Sequence, residues 1–205
     1  EIFVFHTGME PAQLDRHIKV ESMTSEEIRR LRLCNVDLTE TFLPLNTFEE
    51  VLEHLKNKCI LNLDRSIKIL DDVMKIVNKH NMADQVLLKS DPSDASLKMV
   101  ETFAPKVDYM PIFMEEDVAS EKIENMNINY IGAELVFKSE SSSIAQDSYI
   151  DMMHKKGRIL WGNSIVYSSR VPLAAGHNDD ISLTGDPEDG WGWLAKKGFD
   201  IIQTD

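Results

Sequence analysis

The stretch that decides the fold runs from residue 60 to residue 90. It contains two short apolar runs, Ile60-Leu61-Asn62-Leu63-Asp64 and Val86-Leu87-Leu88-Lys89-Ser90, and each run closes on polar residues. Between them, apolar side chains recur at helical spacing after Ser66, a residue type that favours a helix N-cap. A strand, a helix and a second strand in this order predict a parallel strand pair, because parallel neighbours need a crossover connection.

The same alternation continues on both sides of this unit. Further strands are predicted at residues 2–6, 107–113, 129–136, 158–163 and 199–204, with helices between most of them, at a repeat of about 20 to 30 residues, the size of one βα unit. Seven such strands predict an α/β fold, a TIM-type (β/α)8 barrel, which usually needs about 250 residues. We therefore expect a single barrel domain over residues 1–205 that lacks the first strand region of the complete barrel.

Local signals place several helices and one long loop. Thr24-Ser25-Glu26-Glu27 and Thr47-Phe48-Glu49-Glu50 have the spacing of capping boxes, in which the first and fourth residues satisfy each other's backbone N–H groups. Each box predicts a helix start. The irregular stretch from Ser164 to Asp189 is too long for a simple connector, so we expect it to be a functional loop.

The charge of the chain limits its partners. The formal net charge is −13 over 205 residues, so a nucleic-acid backbone would be repelled by most of the surface. An anionic substrate would need a local cation or a metal ion. No stretch approaches the roughly 20 apolar residues of a membrane helix, so no membrane span is predicted. We expect an extracytoplasmic protein only if a targeting signal precedes Glu1.

Polar residues at strand ends form the predicted site. Because the carboxyl ends of parallel strands gather on one face of a barrel, where barrel enzymes keep their chemistry, these side chains are candidates for one site. The candidates are His6, Asp64, Lys89, Asn163 and Asp205.

Two of these candidates suggest acid–base and metal chemistry. His6 ends a predicted buried strand and is a candidate general acid or base, the alternative being a structural histidine. Asp64 ends another predicted buried strand, where an isolated carboxylate is costly and must be paired or metal-bound. Mg²⁺ or Ca²⁺ would suit it, and a salt bridge to Arg65 or Lys89 is the alternative.

Three further residues are candidates for substrate binding. Lys89 is a cation in an otherwise apolar strand and would meet a phosphate group or neutralise Asp64. Trp161 would form an apolar wall beside a ligand or pack in the core. His177 lies in the polar loop after the strand at residues 158–163, where barrel loops often contact phosphate, and a solvated turn is the alternative.

Taken in order, these segments resemble the glycerophosphodiester phosphodiesterase family of metal-dependent barrels. Phe3-Val4-Phe5-His6, followed by Met23-Thr24-Ser25-Glu26-Glu27-Ile28, is similar to the strand, histidine and "T-x-E-E-x-x-x-L" stretch of that family. Residues 46–52 are similar to the helix before its acidic strand. Residues 60–64, 86–90 and 198–205 then resemble the acidic strand, a strand ending in serine and the closing strand.

The resemblance implies an activity and residue roles. Family members hydrolyse glycerophosphodiesters to glycerol 3-phosphate and an alcohol, with a divalent metal and two histidines. His6 would then be the second histidine, which protonates the leaving oxygen, and Asp64 one metal carboxylate, with Arg65 or Lys89 as the phosphate-binding cation. The substrate would be a small molecule.

The chain also departs from the family pattern. Thr7 stands where the family has an aspartate beside the histidine, and Asp64 and Ser66 stand where it commonly has glutamate and lysine. The first His-Arg pair and the other two metal acids of the family would precede Glu1, so we expect residues 1–205 alone to be inactive. Two alternatives follow: a catalytically silent barrel that binds a phosphorylated ligand or a partner, and a sphingomyelinase-like lyase.

Overall fold

The computed structural model of the protein describes residues 1–166 and 170–205. These residues form two compact units, Glu1–Cys59 and Ile60–Asp205. Tyr167, Ser168 and Ser169 belong to the stretch predicted as a functional loop and lie outside the described residues.

The first unit combines short helices with a small antiparallel sheet. Its helices are α1 (Glu10–Leu14), α2 (Ser25–Arg29) and α3 (Phe48–Leu55), and its strands are β1 (Arg32–Cys34) and β2 (Glu40–Pro44). Both predicted capping boxes are present, since the Thr24 hydroxyl accepts from the backbone N–H of Glu27 and the Thr47 hydroxyl accepts from that of Glu50. A core of Leu14, Val20, Ile28, Leu31 and Leu45 holds this unit together.

The predicted strand at residues 2–6 is wrong. Phe3 makes one isolated antiparallel bridge with Thr47. The backbone N–H of Val4 donates to the carbonyl oxygen of Asn46 at 3.0 Å, but the Val4 residue is 50% exposed. His6 is exposed as well. The segment is therefore an extended arm with one covered side rather than a buried strand, so His6 does not end a barrel strand.

The second unit alternates strands and helices as predicted. Its strands are β3 (Leu61–Leu63), β4 (Val86–Ser90), β5 (Asp108–Met114), β6 (Gly132–Val136), β7 (Ile159–Asn163) and β8 (Ile201–Gln203). Its helices are α4 (Leu70–Lys79), α5 (Asp94–Phe103), α6 (Ser120–Glu124), α7 (Asp147–Lys155), α8 (Asp179–Thr184) and α9 (Trp191–Lys197). The strands form one sheet in sequential order, β3 to β8, and every neighbouring pair is parallel.

Side-chain contacts across the sheet show how strongly it curls. Lys89 lies on β4 and Gln203 on β8, four strand spacings apart, which is roughly 19 Å in a flat sheet. The Lys89 ammonium nevertheless lies 3.3 Å from the Gln203 side-chain oxygen. The sheet is therefore rolled around a concave face, as in a TIM-type barrel, and residues on that face converge.

Burial matches this architecture. All five residues of β4 and of β6 are buried, which is typical of parallel strands covered on both faces. Helix α4 packs with Leu70, Val73, Met74 and Val77, the apolar stripe expected from its sequence. Within the described ranges, no helix combines the length and the apolar character needed to cross a bilayer.

Candidate functional site on the concave face of the sheet

A buried ion pair lies at the centre of the concave face. The Lys89 ammonium is 2.7 Å from a carboxylate oxygen of Glu134, and the two side chains are 3% and 5% exposed. Lys89 is the only buried Lys or Arg among the residues that the structure describes. Because an unpaired charge at such a position would be strongly destabilising, each side chain requires the other.

Three polar side chains complete this cluster. The Asn163 amide donates to the second oxygen of Glu134 at 2.9 Å. The indole N–H of Trp161 donates to the Gln203 side-chain oxygen at 3.1 Å, and the Lys89 ammonium lies 3.9 Å from the centre of the Trp161 ring. We call Lys89, Glu134, Trp161, Asn163 and Gln203 the concave-face cluster.

The strand register explains why these residues meet. Glu134 pairs with Trp161 between β6 and β7, and Asn163 pairs with Gln203 between β7 and β8. Residues at equal register in parallel strands point to the same face, and residues two apart on one strand do so too. Asn163 and Gln203 are the last residues of their strands, so the cluster extends to the carboxyl end of the sheet.

The cation of the cluster is held together with its own counter-ion. Lys89 directs two of its three N–H donors at the oxygens of Glu134 and Gln203. Both carboxylate oxygens of Glu134 already accept hydrogen bonds, so this carboxylate acts as the counter-ion that keeps an ammonium inside an acidic protein. Sequence reasoning missed Glu134, although it is a lone acid in the apolar run Gly132–Val136 and carries the same signal as Lys89.

Asp64 and Arg65 lie at the edge of the same sheet. Asp64 directly follows β3, whose last residue, Leu63, pairs with Leu88 on β4. In the parallel register, Asp64 is therefore opposite Lys89. The expected burial of Asp64 is wrong: Asp64 and Arg65 are both exposed, because β3 is an edge strand of the sheet. Lys89 forms its ion pair with Glu134 instead of Asp64. The Asp64 carboxylate accepts a hydrogen bond from the backbone N–H of Arg65 at 2.8 Å.

His177 belongs to a different cluster. Its ring stacks on Trp193 with centroids 3.8 Å apart and planes 5° apart. One ring nitrogen is 3.1 Å from a carboxylate oxygen of Glu140, and the other contacts the carbonyl oxygen of Asp189. The described contacts of His177 therefore tie the loop to α9, and none of them reaches the concave-face cluster.

Asp179 fixes the loop after β7 to the end of β8. Its buried carboxylate accepts hydrogen bonds from the Ser164 hydroxyl, from the Trp191 indole at 2.7 Å and from the backbone N–H of Asp205 at 3.0 Å. Burial alone would raise the pKa of Asp179. The hydrogen bonds from Ser164, Asp205, Trp191 and Thr204 outweigh it and hold the pKa below the ordinary value. The side chain of Asp205, a predicted site residue, is exposed.

Solved structures of known proteins share this architecture. A glycerophosphoryl diester phosphodiesterase from Parabacteroides distasonis superposes with a TM-score of 0.72 at 17% identity, over 98% of this chain and 66% of its own. The fold is that of the glycerophosphodiester phosphodiesterases. A Galdieria sulphuraria protein assigned to that class has a TM-score of 0.67 at 15% identity, over 100% of this chain and 76% of its own. The Agrobacterium tumefaciens glycerophosphodiester phosphodiesterase has a TM-score of 0.62 at 15% identity, over 98% and 77%.

These comparisons confirm the resemblance to glycerophosphodiester phosphodiesterases at the level of the fold. The chain spans slightly less than two thirds of the Parabacteroides structure. A family model described as a domain of unknown function, DUF4996, matches residues 109–205, the part that contains Glu134, Trp161, Asn163 and Gln203. No curated protein sequence matches the chain.

Proposed function

We propose that this protein is a metal-dependent phosphodiester hydrolase that cleaves glycerophosphodiesters to glycerol 3-phosphate and an alcohol. The observation that carries the proposal is the buried Lys89 ammonium on the concave face of a glycerophosphodiester phosphodiesterase fold. A phosphodiester is anionic and this chain has a net charge of −13, so substrate binding requires a local cation. Lys89, the penultimate residue of β4, supplies one near the carboxyl end of the sheet.

We assign each proposed substrate-binding role to one side chain. Lys89 attracts the phosphoryl oxygens, and its pairing with Glu134 keeps the ammonium in place before substrate arrives. Trp161 lies against the non-reacting part of the substrate. Arg65, exposed beside Asp64, supplies a second cation, and His177 contacts the phosphate only if its loop leaves Trp193.

The proposed metal ion is Mg²⁺ or Ca²⁺, with Asp64 as a ligand. Asp64 fits a hard cation because it is an exposed carboxylate at the end of β3, and the hydrogen bond that the structure describes for it comes from the backbone N–H of Arg65. Mg²⁺ is commonly held by one or two carboxylates together with substrate phosphate and water. When bound, the metal would polarise a phosphoryl oxygen.

His6 has the role of general acid in this proposal. Its exposed ring protonates the oxygen of the departing alcohol, so that the alcohol leaves neutral. Water supplies the oxygen that ends on glycerol 3-phosphate, and its proton passes to a base.

The test is an activity assay on the full-length protein. We expect Mg²⁺- or Ca²⁺-dependent release of glycerol 3-phosphate from glycerophosphocholine, abolished by a chelator and reduced about 100-fold or more in His6→Ala. His17→Ala is the matched control, because His17 is also an exposed histidine of the first unit. Activity unchanged by both the chelator and His6→Ala would refute the proposal, and a cyclic phosphate product would identify a lyase instead.

Two observations favour a second function, a silent barrel that binds a phosphorylated ligand or a partner. The charges of Lys89 and Glu134 already neutralise each other, and Thr7 and Ser66 replace charged residues of the family pattern. Saturable binding of glycerol 3-phosphate with no turnover of any glycerophosphodiester would support this function.

A further inference from the structure

A tight turn carries His6. The backbone N–H of Met9 donates to the carbonyl oxygen of His6 at 3.0 Å, which closes a four-residue turn from His6 to Met9. Gly8, the third residue, has φ of 95°, as a type II turn requires. A Cβ added to Gly8 would meet no atom within 4 Å. Glycine is therefore needed here for its backbone conformation and not for space.

The central peptide of this turn has a partner on each side. In a planar trans peptide, the C=O and the N–H point in opposite directions. The N–H of Gly8 donates to a carboxylate oxygen of Glu10 at 2.7 Å, and the C=O of Thr7 lies 3.1 Å from Nδ1 of His6. Because a carbonyl oxygen can only accept, this contact places a proton on Nδ1 of His6.

The carboxylate behind the peptide is firmly held. Glu10 is 3% exposed, and its other oxygen accepts from the backbone N–H of Val20 at 3.3 Å. The pKa of Glu10 is held below its ordinary value, chiefly by the hydrogen bond from its own backbone N–H. Burial raises the pKa, but the hydrogen bonds from Val20 and Gly8 lower it as well. The charge of a protonated His6 lowers that pKa further.

We infer that Glu10 is a positioning residue for His6 and acts through the Thr7–Gly8 peptide. The residue after His6 is Thr7, so no carboxylate is adjacent in sequence. The buried Glu10 orients the His6 ring from the other side of the turn. Its carboxylate fixes the N–H of Gly8 and, through the planar peptide, the orientation of the Thr7 carbonyl. That carbonyl accepts from Nδ1 of His6 and therefore selects the Nδ1–H form of the ring. This inference rests on the proposed role of His6 in the reaction.

The test is ¹⁵N NMR of the imidazole of His6 in the full-length protein, at a pH where the ring is neutral. We expect mainly the Nδ1–H tautomer in the wild type and a shift toward the Nε2–H tautomer in Glu10→Ala. Gly8→Ala should have the same effect without touching Glu10, because alanine disfavours the positive φ. Glu10→Gln should retain much of the Nδ1–H form, because its amide oxygen can still accept from Gly8. Glu21→Gln, at an exposed site, is the control.

These outcomes separate the inference from the proposed function. An Nε2–H tautomer in the wild type, or the wild-type tautomer in both Glu10→Ala and Gly8→Ala with melting temperatures unchanged, would overturn the role of Glu10 whatever the activity. The predicted tautomer change in a protein without hydrolase activity would leave the inference standing and reject the hydrolase. In an active protein, Glu10→Ala should lower kcat roughly tenfold or more with little change in KM, and Glu10→Gln should recover part of the loss.

Discussion

The Lys89 ammonium and the Glu134 carboxylate lie 2.7 Å apart, on strands β4 and β6 of the curled sheet, and both side chains are almost fully buried. In a flat sheet, the backbones of β4 and β6 would lie two strand spacings apart, roughly 10 Å. The ion pair therefore spans the concave face above β5. Lys89 also contacts Trp161 and Gln203. The ion pair therefore links the strands whose ends form the candidate site.

Breaking this pair should be costly. We expect Lys89→Met to destabilise the protein by about 3 to 5 kcal/mol, because it leaves the Glu134 carboxylate buried without its cation. Lys75→Met is the matched control: Lys75 pairs with Asp71 and Asp72 at the exposed surface of α4, where a pair contributes about 1 kcal/mol or less. Urea denaturation measures both. Equal effects of the two substitutions would contradict the buried pair.

Removing both charges should be milder than removing one. In Lys89→Met/Glu134→Leu, no charged group remains buried without a partner, so we expect a smaller loss of stability than the sum of the two single substitutions. A double-mutant cycle by urea denaturation gives the coupling free energy. Strict additivity would show that the two side chains do not interact in solution.

Asp179 should make stability depend on pH. Its folded-state pKa is lowered from 3.8, so its stabilising contribution is present above the ordinary pKa and is lost as the pH falls through the folded-state pKa. We expect Asp179→Asn to be less stable than the wild type at pH 7, and the difference to shrink at acidic pH as the wild-type carboxylate becomes protonated. Asp180→Asn, at the exposed neighbouring position, should have little effect. Denaturation across the pH range checks this, and a constant difference would contradict it.

Gly132 should be irreplaceable for steric reasons. A Cβ at this position would lie 1.8 Å from the carbonyl oxygen of Ile159 on the neighbouring strand, so we expect Gly132→Ala to cost about 3 kcal/mol or more. Gly157→Ala is the control: it has positive φ and open space around it, and should cost about 1 to 2 kcal/mol. Thermal unfolding distinguishes the two, and a smaller loss at Gly132 would contradict the close approach of β6 and β7.

The sequence was sufficient for the parallel sheet, because its strands are short, mainly apolar runs separated by helical patterns, and two of them, β4 and β6, are fully buried. Predicting strands from apolar patterns assumes that apolar residues are buried, so the prediction fails where they are exposed. The β1–β2 hairpin was missed: Val36 is 103% and Phe42 is 87% exposed. The predicted strand containing Val4 was wrong for the same reason.

The candidate site was predicted in part. Lys89 and Trp161 do lie together, since a cation inside an apolar strand can be recognised locally. Its partner Glu134 is 45 residues away, and only the curl of the sheet brings them together. The burial of Asp64 was mispredicted because edge and central strands look alike in sequence. The functional roles of all the predicted site residues stay predictions: His6, Asp64, Arg65, Lys89, Trp161 and His177.

The most direct test of the central claim, that the concave-face cluster receives the phosphate group, uses the three tryptophan indole N–H signals in an NMR titration with glycerol 3-phosphate and Mg²⁺. We predict a saturable shift of the Trp161 signal, whose N–H donates to Gln203, and no shift of the Trp191 signal, whose N–H donates to Asp179. A Trp193 shift would add His177 to the site. An unchanged Trp161 signal at saturating ligand would contradict the account.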